Sequence, residues 1–229
     1  WTSSYPTSKR TKPAEIFRNV FKSLYDMVCR GCLTCGERKK AFRQNAGARR
    51  YLPLMRRIDC HVHLVGDGSA GSGCWFRVSN PVRWVTARFL LKASGLSGSV
   101  LRTGLDEPYV RNLLGLVKAS SLDAVVLLAM DLPRSDSGEV LKNKANFYVP
   151  NERVLELGRK YPEIIPACSI HPGRPDAMEE LEKCVEGGAR VMKLLPNCHN
   201  VNASDLAYRP FWERMAKAGM AFLAHTGGE

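Results

Sequence analysis

His61-Val62-His63 is the stretch of this sequence best suited to chemistry. In a strand, residues i and i+2 share a face. Two imidazoles about 7 Å apart along a strand, by the rise per residue, can converge on one metal ion. Ile58, Cys60, Val62 and Leu64 alternate with Asp59, His61 and His63. The expectation is a strand over 58–64 with Asp59 and both histidines on one side. Asp59 lies one layer deeper and is placed to orient a ligand, as carboxylates behind metal-bound histidines do. A Gly/Ser loop over 67–73 follows at once.

Three later positions belong with this pair. His225 ends an apolar run at 221–225 and is followed by glycines. Lys193 sits inside Val191-Met192-Lys193-Leu194-Leu195, where an unpartnered ammonium is costly; a salt bridge to Asp59 is its alternative role. His171 follows another run, in Ile170-His171-Pro172. Four of the five histidines therefore fall at or near strand C-termini, where active sites lie in parallel barrels. His199 lies in the loop after the fourth strand and is a candidate for substrate binding, as His171 and Lys193 are for catalysis. Loop capping or a surface role is the competing account of His171 and His199. Cys74, Trp75, Phe76, Arg77 and Trp84 are candidates for lining a pocket. Arg77 could hold an anionic substrate group in a bidentate pair, with surface or core packing as the alternative.

These residues need elements to position them. Strands are expected at 58–64, 124–129, 164–170, 190–195 and 221–225, because each is an apolar run bounded by turn residues. Helices are expected at 80–91, 107–119, 151–161, 176–186 and 210–218. Asn80-Pro81 and Asn151 read as helix starts by N-cap and proline logic, and Gly187-Gly188 as a stop. Strands alternating with helices argue for a parallel α/β sheet. An eight-strand barrel takes about 250 residues; from Ile58 the chain offers 172. The expectation is thus about five of eight βα units.

Composition sets the frame. The chain has 229 residues, 45% hydrophobic and 24% charged, which excludes collagen, a mostly disordered chain and a disulfide-dense miniprotein. The longest apolar run, 124–130, is far short of the roughly 20 residues that span a bilayer. The net charge of +12 is not spread evenly: residues 1–57 hold 14 Lys+Arg against 3 Asp+Glu, and the remainder is nearly neutral. The reading is a basic, Cys-containing helical segment or linker over 1–57 and a separate domain over 58–229. Within the first, 13–28 reads as an amphipathic helix. It packs on its own domain or docks on a membrane surface or a partner. Cys29, Cys32 and Cys35 form C-x2-C-x2-C, but zinc wants four ligands. Lys39 stands where a ferredoxin run needs its next cysteine. A Cys-rich turn is the simpler reading. Most cysteines read as reduced, and the compartment as cytoplasmic. The chain opens on Trp1 and stops at Glu229 just after His-Thr-Gly-Gly, so residues are expected to be missing at one or both ends.

The stretch 58–229 resembles the metal-dependent amidohydrolase superfamily. It is most similar to the branch of aminocarboxymuconate-semialdehyde decarboxylase-like TIM-barrel proteins. The resemblance rests on Ile58-Asp59-Cys60-His61-Val62-His63, Ser169-Ile170-His171-Pro172 with Asp176 and Glu180, Val191-Met192-Lys193-Leu194-Leu195-Pro196, and Phe222-Leu223-Ala224-His225-Thr226-Gly227. Tyr208-Arg209-Pro210-Phe211-Trp212 also looks like the family. The resemblance implies an α/β (β/α)8 barrel and a divalent metal held by His61, His63 and His225. Zinc is the first choice and manganese the second. It implies hydrolysis of a C–N or ester bond in a small-molecule substrate, or non-oxidative decarboxylation. Two-metal members carry a carboxylated lysine where Lys193 falls. The family's strand-six His and strand-eight Asp would lie beyond Glu229, so the chain by itself is expected to be without turnover.

Two rivals compete. A TatD-type nuclease or PHP-type phosphoesterase also begins with His-x-His, and Asp67-Gly68 after His63 resembles the PHP start. Lys193 stands where TatD proteins carry Glu, and the PHP pattern does not account for His225-Thr226-Gly227-Gly228, so nucleic acid is not the expected partner. A non-enzymatic binding protein, docking through residues 1–57, is the second rival. Nothing in the sequence sets an oligomeric state.

Overall fold

The computed structural model describes residues 56–78 and 81–225. The expected helix at 13–28, the cysteines at 29, 32 and 35 and the basic segment up to residue 55 lie outside the described residues, as do 79–80 and 226–229.

Seven strands run through the described chain: β1 (Ile58–His63), β2 (Trp75–Phe76), β3 (Ala124–Leu128), β4 (Phe147–Tyr148), β5 (Ile164–Cys168), β6 (Val191–Leu194) and β7 (Ala221–Ala224). The helices are α1 (Pro81–Ala93), α2 (Val100–Thr103), α3 (Asp106–Ala119), α4 (Asn151–Lys160), α5 (Ala177–Glu186), α6 (Pro196–His199) and α7 (Arg209–Lys217). Five strands form one parallel sheet in the order β1-β3-β5-β6-β7. Each crossover carries at least one helix, as parallel pairing requires.

The central strands β3, β5 and β6 are buried on both faces, whereas β1 and β7 at the sheet edges are largely exposed. Val125 and Leu127 of β3 and Ala129 just after it pack with Val110 and Val117 of α3 and Val154 and Leu157 of α4. Val126 and Leu128 face the other way, with Ala167, Ile165, Val191 and Leu223. Cys168, Ile170 and Met192 meet Leu155, Leu181, Cys184, Phe211 and Met215 from the helices. The alternation that puts Met192 under the helices puts Lys193 on the face of Val191, inside the sheet's curve.

The sheet is curled. On a flat sheet its two edge strands would stand four spacings, about 19 Å, apart. His225, just after edge strand β7, nevertheless acts electrostatically on His61 of edge strand β1. A curled five-stranded parallel sheet with helices outside is the architecture of a partial TIM barrel.

Three local expectations need correction. β1 does not alternate cleanly: Asp59 pairs with Val125 but Val62 with Leu127, so β1 carries one extra residue, a bulge. Cys60, one of the apolar set that alternates along 58–64, is exposed. Asn151 is not a cap. Pro150, extended at ψ 148°, holds the cap position, and the Asn151 side chain turns inward. Its Nδ2 donates to Glu180 Oε1 at 2.6 Å and its Oδ1 accepts from the Ser169 N–H at 2.8 Å. Finally, β2 and β4 pair antiparallel in a short ribbon with no counterpart in the sequence reading.

The Gly/Ser loop after β1 is organised by one carboxylate. Asp106, at the start of α3, accepts from the N–H groups of Asp67, Gly68 and Ala70 and from the Ser72 hydroxyl. Those bonds outweigh burial and hold its pKa below the usual carboxylate value. Among the described residues no helix is long and apolar enough to cross a membrane.

Candidate metal centre

The bulge in β1 builds the site. It takes the His61 N–H out of the regular ladder, and Asp59 Oδ1 accepts it at 3.0 Å. The predicted carboxylate thus acts on His61 through the backbone. The imidazoles of His61 and His63 converge, Nε2 to Nε2, at 3.0 Å, with ring centroids 4.9 Å apart and planes tilted by 49°. Two nitrogens bound at about 2.0–2.1 Å to one ion would lie roughly 2.8–3.4 Å apart for octahedral to tetrahedral angles. The pair fits a shared divalent cation.

Its electrostatics favour neutral imidazole. Burial, then the positive charges of Lys193 and His225, hold the His61 pKa below 6.5, against an upward pull from Asp59. A neutral ring keeps its lone pair for a metal. Lys193, entirely buried, and His225, half-buried, therefore share the electrostatic neighbourhood of His61. No group of three or more His, Cys, Asp or Glu side chains is gathered as a ready metal site among the described residues. The structure brings together the pair, with His225 near it.

His63 is positioned from two sides. Tyr109 donates its hydroxyl to the His63 carbonyl at 2.7 Å. The Phe147 ring meets the His63 ring edge-on, 6.1 Å between centroids and 78° between planes. Neither contact was visible in the sequence, since each joins residues far apart in the chain.

His171 and His199 are both buried, at 2% exposure. His171 Nδ1 accepts the Gly173 N–H at 3.0 Å, which puts the proton of the neutral ring on Nε2. Its backbone N–H goes to Asp131 Oδ2 at 2.7 Å. Burial lowers its pKa below 6.5, partly opposed by Asp131 and the nearby backbone carbonyls of His199 and Asn200. The His199 carbonyl also accepts from the Arg134 N–H. Arg77 is exposed, and its guanidinium donates to the carbonyls of Asn143 (2.8 Å) and Lys142 (3.3 Å). A shallow depression of about 400 Å³ on α3, lined by Pro108, Arg111, Asn112, Gly115 and Leu116, contains none of the predicted site residues.

A pH dependence follows from His171. The unfolded chain takes up a proton near pH 6.5 that the folded chain resists. Stability is therefore complete above that pH and falls as pH drops below it. The urea midpoint is expected to be lower at pH 5.5 than at pH 7.5. His171→Asn, which keeps an acceptor for the Gly173 N–H but does not titrate, should flatten that slope. An unchanged slope would refute this assignment.

The pattern of the Amidohydrolase family matches residues 58–228, from the first residue of β1 to beyond the end of β7. No curated protein matches the chain. The match covers the larger part of the sequence and contains the histidine pair, the buried lysine and the curled parallel sheet. The chain belongs to the amidohydrolase superfamily.

Proposed function

We propose that this amidohydrolase domain is a metal-dependent hydrolase acting on a C–N or ester bond of a small molecule, in the branch of the aminocarboxymuconate-semialdehyde decarboxylase-like proteins. The observation that carries the reading is the 3.0 Å approach of the His61 and His63 nitrogens on the inner side of a parallel sheet. His61 and His63 would hold the ion, zinc in the first instance, with His225 as third donor and the rest of an eight-unit barrel completing the site. Bound there, a divalent cation supplies Lewis acidity to a carbonyl and lowers the pKa of water.

The chain's own groups do the rest. Asp59 fixes the backbone at His61. Lys193 contributes a buried positive charge that, after burial itself, helps lower the His61 pKa. His171, its Nδ1 already accepting from Gly173, holds the turn after β5. Non-oxidative decarboxylation is the second reading, since the same ion and cationic surroundings would stabilise a developing enolate.

The test uses the full-length protein, stripped of metal and reloaded with zinc or manganese, against amides, esters and unsaturated carboxylic acids. Metal-dependent release of acid with amine or alcohol supports hydrolysis. Release of carbon dioxide without hydrolysis moves the assignment to the second reading. Cleavage of DNA or phosphoesters alone would overturn both.

A further inference from the structure

We infer that Phe147 is a positioning residue for His63, and that Arg77 acts through Phe147 by fixing the ribbon that carries it. The inference rests on the metal-site reading above. An imidazole turns broadly about its Cβ–ring bond unless neighbours restrict it. For His63 the neighbour on one side is His61, and on another the Phe147 ring, met edge-on at 6.1 Å. Phe147 therefore helps choose the ring plane in which Nε2 points at the His61 nitrogen.

Phe147 can do this only if β4 is rigid, and two-residue strands are not rigid by themselves. The ribbon is held by other means. Met130 and Val149 exchange two backbone hydrogen bonds, 3.0 and 3.1 Å, tying β4 to the chain just beyond β3. Trp75 stacks on Tyr148 at 6.3 Å, and the Lys142 ammonium lies 5.3 Å from the Trp75 ring centre. Arg77 closes the structure. Its N–H donates to the Asn146 carbonyl at 2.7 Å, and its guanidinium spans the Asn143 and Lys142 carbonyls. It thus binds the turn that leads into Phe147. A planar fork suits two carbonyls at once, which an ammonium does not.

The experiment compares wild type, Phe147→Ala, Phe147→Tyr, Arg77→Met and the Phe147→Ala/Arg77→Met double variant. Zinc affinity is measured by competition with a chromophoric chelator, and the His63 ring by its NMR signal in the metal-free protein. Phe147→Ala should lose about 10–100-fold in zinc affinity, the range for removing a ligand's orienting partner, and its His63 signal should broaden or split. Phe147→Tyr, keeping the ring edge, should retain both. Arg77→Met should lose part of the affinity, and the double variant no more than Phe147→Ala alone, because both act through one contact. Unchanged affinity and an unchanged His63 signal in Phe147→Ala would overturn the inference. Should wild type bind no zinc, the metal-site reading fails, and the metal-free His63 signal still decides this one. Should Phe147→Ala not fold, Arg77→Met decides in its place: a sharp, unshifted His63 signal there overturns the inference.

Discussion

Arg174→Met lowers the unfolding free energy of the domain by about 3–5 kcal/mol, the range for removing one partner of a buried ion cluster. Arg174 stands just after β5, in the turn that carries His171. Its guanidinium donates to both carboxylate oxygens of Asp176, at 2.7 Å each. It also lies 3.5 Å from Asp131 and 3.9 Å from Glu180, both carboxylates only 6% exposed. The Asp176 pair alone would be worth little, since Asp176 is largely solvated. The cost comes from the other two. Each has a polar neighbour, Asp131 the N–H groups of Leu132 and His171, Glu180 the Asn151 amide. Without Arg174 the two buried carboxylates lose the guanidinium that lies within 4 Å of both, and Tyr148, with its pKa pushed up to about 12 by burial and by Asp131, Glu152 and Glu180, stays a neutral phenol beside them. Urea unfolding of both proteins at neutral pH checks this. A difference under about 1 kcal/mol, typical of a surface pair, would show that the cluster is solvated. Arg174→Lys should recover only part of the loss, because the fork to Asp176 needs a guanidinium.

The sheet was legible because each strand is an apolar run bounded by turn residues, and its inner strands are buried on both faces. A run such as Ala124–Leu128 carries its own signal, and helices alternating with such runs leave few arrangements. The pairing of His61 with His63 was legible for the same local reason. What escaped was long-range. The bulge at Cys60-His61 is written nowhere in the alternation of 58–64; it shows only against the register of β3. Asn151 looked like a cap because Asn before a helical pattern usually is, but tertiary bonds to Glu180 and Ser169 outbid the local one. The β2–β4 ribbon joins residues about 70 apart in two-residue strands, too short for periodicity to register. The bonds from the Arg77 guanidinium to the carbonyls of Asn143 and Lys142, some 65 residues along the chain, have no local pattern either. Side chains that act across the fold leave little trace in local sequence. In this chain they are the ones that hold the histidines.

His61→Ala and His63→Ala should each lower zinc affinity more than 100-fold, beyond the 10–100-fold typical of losing an orienting partner, and should abolish any metal-dependent turnover. The reason is geometric: the 3.0 Å pair is what the fold preassembles, and one imidazole cannot replace two. His225→Ala should cost less, since it leaves the pair in place. Lys193→Met separates this account from a merely structural one. Lys193 is wholly buried and lowers the His61 pKa. Its removal lets the His61 pKa rise, so protons compete with zinc from a higher pH; it also removes a positive charge that repels the incoming cation. These two effects oppose each other, and pH decides which wins. Near pH 6 proton competition dominates and Lys193→Met should bind zinc more weakly than wild type. Near pH 8 His61 is neutral in both proteins, and the variant should bind as tightly or more tightly. Affinity-against-pH curves for the two proteins should therefore cross. Parallel curves, with the variant weaker throughout, would mean that Lys193 serves packing alone and that the electrostatic coupling of β6 to the histidine pair has no part in metal binding.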